Sequence, residues 1–293
     1  MLGLTCLWQG DFVRAQANLV EALRILDPER EPEARLRYAL DVGASARAAL
    51  AITKWLLGEI GPARALIEQA IETDHITTLV HSYMWKAQFE VVRGDAGAAR
   101  GDAAIVVKLS QENALPLYLG GGALVSAWAS ARLDGREAGA TQLRQALALA
   151  ASTGQGVKFL VPFLRGLVAE IEAEDDAAGA LTRIEEALAL ATETGEHWND
   201  AFLHRLRGEI LLKRDPANTT AAEQAFLAAI ATAQAQNART FELQAALSLA
   251  NLYRASGRSA EAHAVLSPAV EGFAPTLEMP QIGEAQALLE RLG

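Results

Sequence analysis

Residues 249–269 read LANLYRASGRSAEAHAVLSPA, and this stretch carries the pattern that decides the fold. Its landmarks are, in order, Leu249, Ala250, Tyr253, Gly257, Ala262, Leu266 and Ala269. The last three are four and three residues apart, so they share one face of an α-helix. Glycine readily takes the left-handed conformation that ends a helix. The stretch therefore predicts two helices joined by a tight turn at Gly257.

The same pattern recurs along the whole chain. The first small residue after each turn lies at positions 15, 63, 99, 139, 180, 222 and 262. These positions are about forty residues apart, which is the period of a helical solenoid. Aspartates that follow a turn, such as Asp11 and Asp95, are predicted to cap the next helix. We therefore expect helix pairs in which small residues allow close packing.

The order of these landmarks resembles that of the tetratricopeptide repeat (TPR). The resemblance covers nearly the whole chain and implies an all-α fold, a right-handed TPR-like α-solenoid of about seven helix pairs with a C-terminal capping helix. We expect one domain spanning residues 1–293. Its approximate repeats are 1–30, 38–76, 77–112, 117–153, 160–194, 198–236 and 240–275, followed by the capping helix at 279–292.

Composition agrees with a helical protein and excludes several classes of function. The chain contains 60 alanines among 293 residues, and aromatic residues make up 6%, so an all-β fold is excluded. The net charge of −10 argues against a nucleic-acid partner, which would need a basic face. Cys6 is the only cysteine, which excludes a disulfide framework and a thiolate metal cluster.

The sequence predicts a cytoplasmic protein without a membrane segment. Residues 1–8 carry no basic leader and no small-residue cleavage site of a secretory signal. Residues 113–131 are uncharged over nearly the length that spans a membrane. They contain Pro116 and three consecutive glycines, however, and are only moderately apolar. We therefore predict a loop followed by a buried helix.

Three segments go beyond the generic repeat: Gly3–Cys6 leading to Phe12, Gly195–Leu212, and Ala238–Ala250. Together they resemble the C-terminal TPR region of large bacterial signalling ATPases. In that family an output module, often a class III adenylate/guanylate cyclase or a helix-turn-helix regulator, precedes a P-loop ATPase and then the repeats. This chain has no Gly-x-x-x-x-Gly-Lys-Ser/Thr phosphate loop. No cyclase metal carboxylates can be identified either.

The N-terminal residues suggest a fragment. Aligned on Gly10, the first repeat begins inside its first helix, and no polar cap covers Leu4, Leu7 and Trp8. A solenoid needs a polar cap at each end. The sequence therefore predicts a piece of a longer protein, or a truncated gene.

No constellation of catalytic or metal-binding residues can be assigned. Gly154–Lys158 has the wrong spacing for a phosphate loop and is predicted to be a turn. His197 and His204 share a helix face, but no third ligand lies at helical spacing. No Ser-His-Asp or Cys-His arrangement can be placed. We therefore expect no catalytic residue, no metal and no cofactor.

The first helix of each TPR pair lines the concave surface, so the resemblance assigns a candidate groove. Its residues are Trp55, His81, Gln88, Trp128, Arg132, Arg165, Arg205, Glu209, Gln244, Asn251 and Arg254. Aromatic and arginine side chains often anchor binding partners. The two tryptophans fit inter-repeat core equally well, and the arginines could be paired with neighbouring glutamates.

Three hypotheses of function follow. The first is a non-enzymatic scaffold that binds a protein or peptide partner, or the ATPase and output domains of its own parent. The second is a sensor whose groove binds a small-molecule inducer and shifts the parent between two states. The third is the tail of an adenylate/guanylate cyclase or ATPase whose catalytic domain lies outside this chain.

Overall fold

The chain folds into helices throughout the part that the structure describes. That structure is a computed structural model, and it describes residues 2–27, 39–152 and 160–292. These ranges contain fifteen helices and no strand. The helices are α1 (Leu2–Trp8), α2 (Phe12–Arg24), α3 (Val42–Leu56), α4 (Ile60–Ala70), α5 (Ile76–Arg93), α6 (Ala96–Glu112), α7 (Pro116–Leu133), α8 (Arg136–Ser152), α9 (Val161–Glu172), α10 (Ala177–Thr194), α11 (Asp200–Arg214), α12 (Thr219–Ala235), α13 (Arg239–Ala255), α14 (Ser259–Val270) and α15 (Pro280–Leu292).

The helices pack in consecutive pairs, α1 with α2, α3 with α4, and so on to α13 with α14. Each odd-numbered helix also contacts the next odd-numbered helix, so that these helices form an inner layer. This arrangement confirms the predicted all-α fold and is that of an α-solenoid. The assignment to the TPR class, the number of repeats and the handedness remain predictions.

The turns within the pairs follow the sequence pattern. Gly10, Gly58, Gly94, Gly135 and Gly257 all have positive φ angles, between 74° and 96°. They end or follow the first helix of a pair in the left-handed conformation that glycine allows.

Two predicted helix caps are present. The side chain of Asp11 accepts a hydrogen bond from the backbone N–H of Arg14, and that of Asp95 accepts one from Ala98. Each bond satisfies a donor in the first turn of its helix that would otherwise lack a partner.

The small residues of the pattern lie where two helices of a pair meet. Six of them are alanines with no exposed surface: Ala15, Ala63, Ala99, Ala180, Ala222 and Ala262. The seventh is Gly139, and a Cβ atom added there would lie 2.6 Å from the Cα of Ala131. Small side chains at these positions are therefore a condition of the close helix contact, as the sequence predicts.

The uncharged segment at residues 113–131 is a turn followed by α7, whose inner residues are buried. No helix among the described residues combines the length and the apolar character needed to cross a membrane. The predicted capping helix corresponds to α15, which begins at Pro280 and contacts α13 and α14. The predicted turn at Gly154–Lys158 lies outside the described residues.

The solenoid curves until its two halves touch. The carbonyl oxygen of Trp8 accepts hydrogen bonds from the backbone N–H groups of His197, at 2.7 Å, and of Trp198. The side-chain amide of Gln244 donates to the carbonyl of Val92 at 3.1 Å, across 152 residues of sequence. Helix α13 also contacts α3. Trp8, near the N-terminus, is thereby partly covered by the opposite half of the chain.

A row of packed aromatic side chains extends from this contact into the interior. The ring of Trp8 lies 5.3 Å from that of Trp85 and 5.9 Å from that of Trp198. The row continues through Phe163, Phe202 and Phe241, with neighbouring centroids 5.2 to 6.2 Å apart. Much of the expected concave surface is therefore packed core.

Candidate functional site

An inner cavity remains open between the two halves. Its volume is about 250 Å³, and a neighbouring cavity of about 310 Å³ shares Trp128, Arg132 and Glu170 with it. The helical residues that line them come from odd-numbered helices, α5, α7, α9, α11, α13 and α15. The residues that line the first cavity are Val91, Val92, Gly94, Trp128, Arg132, Glu170, Phe202, Arg205, Gln244, Leu247, Ser248, Asn251, Gln281 and Glu284.

Trp128, Arg132 and Glu170 form one hydrogen-bonded unit at the boundary of the two cavities. The indole Nε1 of Trp128 donates to Glu170 Oε2 at 2.9 Å, and the guanidinium of Arg132 pairs with the other carboxylate oxygen. The same guanidinium lies 4.8 Å from the centre of the Trp128 ring. Glu170, on α9, therefore fixes two side chains of α7. The indole ring lies in the wall of the cavity and is only 2% exposed.

A second unit is built on α11 and α13. The guanidinium of Arg205 pairs with Glu209 and lies 5.5 Å from the centre of the Phe202 ring. Glu209 also accepts a hydrogen bond from the Ser248 hydroxyl at 3.2 Å. Both arginines are thus held by a carboxylate and an aromatic ring, which leaves them little freedom to reorient.

The opposite wall combines α5 with α13 and α15. Gln244 is 8% exposed, and its Nε2 is committed to the carbonyl of Val92. This bond leaves its Oε1 without a hydrogen-bond partner among the described residues. The Oε1 of Gln281 is likewise buried without a described partner, and Glu284, one turn further along α15, is exposed.

The structure brings six of the eleven predicted groove residues together. Trp128, Arg132, Arg205, Gln244 and Asn251 line the first cavity, and Glu209 lines the second.

The other five lie elsewhere. Trp55 is fully buried core, with its ring 5.4 Å from that of Phe89. Gln88 is buried within α5. Arg165 contacts Glu186, and Arg254 is exposed at the end of α13.

His81 belongs to the aromatic interior. Its Nε2 accepts a hydrogen bond from Trp85 Nε1 at 2.9 Å, and its Nδ1 lies 3.3 Å from the hydroxyl of Tyr118. Burial lowers the pKa of His81 to about 4, so the ring is neutral near pH 7. The Trp85 bond requires an unprotonated Nε2, which places the ring proton on Nδ1. His81 therefore packs with Trp85 and Tyr118 and does not line either of the two cavities.

Sequence reasoning missed several lining residues. They are Glu170, Glu174, Phe202, Lys213, Ser248, Gln281 and Glu284. Phe202 precedes Arg205 by three residues, and Lys213 and Ser248 follow Glu209 and Gln244 by four. This helical spacing is a signal that could have found them. Gln281 and Glu284 lie on α15, which was expected only to cover the end of the stack.

Two buried acids lie outside the cavity. Glu90 is fully buried between Arg64 and Arg93, and Arg93 also donates to the carbonyl of Glu278 at 3.1 Å. Burial raises the pKa of Glu90 although the two arginines oppose the shift.

Glu196 is the second of these acids. It accepts hydrogen bonds from the Leu160 N–H and from Trp198 Nε1. Burial raises the pKa of Glu196 to about 7. Among the described residues, no group of three His, Cys, Asp or Glu side chains is placed to hold a metal ion.

No protein-family model matches the chain, and no curated protein matches its sequence at a significant level. Any proposal of function therefore rests on the geometry of the cavity.

Proposed function

We propose that this chain is a binding module that recognises a short, extended segment of a partner protein in its inner cavity. One observation carries the proposal: ion-paired arginines, aromatic rings and amide side chains from successive inner helices converge on one cavity. Binding sites typically combine aromatic and arginine anchors with a few polar groups that fix orientation. The chain would act without catalysis of its own.

The polar lining favours a peptide main chain as the occupant. Gln244, Ser248, Asn251 and Gln281 place amide and hydroxyl groups on one side of the cavity. Such groups hydrogen-bond to the N–H and C=O groups of an extended chain. The donors of Gln244, Ser248 and Asn251 bond within the chain, so a peptide would pair with their oxygen atoms or replace those bonds. The two adjoining cavities share three residues and together run along several inner helices, so a segment of a few residues would fit.

The resemblance to signalling ATPases supplies the proposed context. The recognised segment would belong to an ATPase or output domain of the same protein, or to a separate partner. A small-molecule sensor is the second candidate, and the Gln244–Val92 hydrogen bond favours it. Because the cavity lies between two halves of the chain, an occupant that touches both would stabilise the closed form.

A selection from short random peptides tests the proposal. Ser248→Trp places an indole in the cavity, whereas Ser259→Trp places one on the exposed start of α14. Selected peptides should bind the wild type and Ser259→Trp equally, and Ser248→Trp at least tenfold more weakly, which is about 1.4 kcal/mol. Peptides that bind all three proteins equally would refute the cavity as the binding site.

A further inference from the structure

The charges around the two cavities do not balance. Among the residues that the structure describes, three basic side chains line them, Arg132, Arg205 and Lys213, against four acidic ones, Glu170, Glu174, Glu209 and Glu284. Each basic residue is paired with a carboxylate: Arg132 with Glu170, Arg205 with Glu209, and Lys213 with Glu174. Glu284 forms no ion pair with any residue that the structure describes. One carboxylate is therefore left over at the α15 side.

Hydrogen-bond acceptors accumulate at that same side. The amide of Gln244 is oriented by its bond to Val92, so its Oε1 is an acceptor without a partner in the described part of the chain. Gln281 contributes another unpartnered Oε1, and it lies three residues from Glu284 on one face of α15. A buried acceptor without a donor is costly. Both oxygen atoms have almost no accessible surface, so a group with several N–H donors reaches them only when the two amide side chains turn toward the cavity.

The other side of the cavity shows how this surface holds a cation. The guanidinium groups of Arg132 and Arg205 each lie against an aromatic ring and a carboxylate. An additional guanidinium or ammonium group would meet the unpaired carboxylate of Glu284, and the amide side chains of Gln244 and Gln281 line the same cavity. Carboxylate and amide oxygens both accept hydrogen bonds from such groups. An acidic ligand would meet only arginines that are already paired.

We infer that the cavity takes a cationic side chain, the guanidinium or ammonium group of an arginine or lysine in an extended peptide segment. This inference rests on the proposed function and narrows it to a basic partner. The carboxylate of Glu284 receives the cation, and the amide side chains of Gln244 and Gln281 turn their Oε1 atoms toward it. The net charge of −10 attracts such a segment from a distance, and this attraction weakens as salt is added.

Three synthetic peptides of equal length test the inference by isothermal titration calorimetry. They are identical except for a central arginine, glutamine or glutamate. The arginine peptide should bind most tightly and the glutamate peptide most weakly. Glu284→Gln should weaken binding of the arginine peptide about fivefold, which is the order expected for the loss of one partly exposed ion pair. It should leave the affinity for the glutamine peptide unchanged. Glu290→Gln, a substitution at an exposed position of the same helix, should alter the affinity for neither peptide.

Binding of the same peptides to Ser248→Trp shows whether the cationic inference alone fails or the proposed function fails with it. Equal or tighter binding of the glutamate peptide, abolished by Ser248→Trp, would overturn the cationic inference and leave peptide recognition standing. Peptides that bind Ser248→Trp as well as wild type would overturn the proposed function.

The source of the cation is tested with free argininamide and spermidine. If the arginine peptide binds at least tenfold more tightly than either free amine, the peptide is supported as the source of the cation. If the free amines bind as tightly as the peptide and depend on Glu284, a small molecule replaces the peptide and that part of the inference is wrong.

Discussion

The backbone N–H of His197 donates a hydrogen bond of 2.7 Å to the carbonyl oxygen of Trp8, and so joins the first helix pair to the start of α11. Two of the three segments that depart from the generic repeat meet at this bond, Gly3–Phe12 and Gly195–Leu212. The third, Ala238–Ala250, contains Gln244, which bonds to Val92. Each of the three segments thus contributes at least one residue to the contact between the two halves.

Removing the Trp8 side chain should open this contact. Trp8→Ala loses the ring contacts with Trp85 and Trp198, at 5.3 and 5.9 Å. We expect the free energy of unfolding to fall by about 2 kcal/mol, less than for a fully buried tryptophan. The radius of gyration measured by small-angle X-ray scattering should also increase, because the two halves separate.

Trp8→Phe keeps an aromatic ring at the contact. Its free energy of unfolding and its radius of gyration should therefore stay close to those of the wild type. A Trp8→Ala protein with an unchanged radius of gyration would mean that the two halves are held together without the N-terminal helix.

The buried pair of Glu90 and Arg93 should be sensitive to the loss of one partner. Arg93→Ala leaves Glu90, which has no exposed surface, with Arg64 as its remaining ion-pair partner. It also removes the hydrogen bond to the Glu278 carbonyl. We expect a loss of about 3 kcal/mol in urea unfolding, since a buried charge deprived of a partner is strongly destabilising.

A double-mutant cycle checks the origin of this loss. Adding Glu90→Gln removes the buried charge, so the double variant should be more stable than the sum of the two single losses predicts. Strictly additive losses would show that Arg93 acts through Glu278 and its neighbours, not through Glu90.

Two glycines test how closely the helices pack. A Cβ atom at Gly208 on α11 would lie 2.5 Å from the ring of Phe226 on α12. Gly208→Ala should therefore destabilise the protein by about 2 kcal/mol through overpacking. Gly101 lies inside α6 with nothing within 4 Å of such an atom, so Gly101→Ala should stabilise the protein by about 0.5–1 kcal/mol. Thermal unfolding of both variants shows whether each substitution raises or lowers the stability. A Gly208→Ala protein as stable as the wild type would contradict the close contact.

The sequence predicted the local architecture because the repeat pattern is local. Ala262 and Gly257 lie within one helix pair, and their spacing alone indicates a turn and a packed helix face. The bond between His197 and Trp8 has no such signal, because the curvature of a solenoid accumulates from small rotations at every repeat. Periodicity shows which face of a helix packs, but not which distant helix the chain meets after several repeats.

The local nature of the repeat pattern also explains which residues of the candidate site could be predicted. Trp128 and Arg132 could be placed on the inner layer from motif positions, and both line the cavity. Trp55 belongs to the same predicted groove, yet it is completely buried, with its ring against that of Phe89 on the next inner helix. Glu284 comes from the terminal helix, whose inward face the repeat pattern does not describe. Burial of the tryptophans was therefore an open question until the global curvature was known.

Glu196 should make the stability of the closed form depend on pH. Its carboxylate is buried beside Trp198, and burial raises its pKa to about 7. The unfolded chain releases this proton near pH 4.5 and the native state only near pH 7, so the contribution of Glu196 to stability is complete below pH 4.5 and is lost as pH rises through 7. The shift corresponds to a loss of about 3 kcal/mol.

Glu196→Gln keeps acceptor capacity for the Leu160 and Trp198 donors but cannot ionise. In urea unfolding at pH 5 and pH 8, the wild type should lose stability relative to this variant as pH rises. Comparing the two proteins removes the contributions of other titrating groups, including Asp200, whose pKa is raised mainly by burial. Glu290→Gln, which is exposed, should follow the wild type. Parallel stability curves for wild type and Glu196→Gln would mean that Glu196 stays ionised throughout, so that the Trp8–Trp198 contact closes independently of pH.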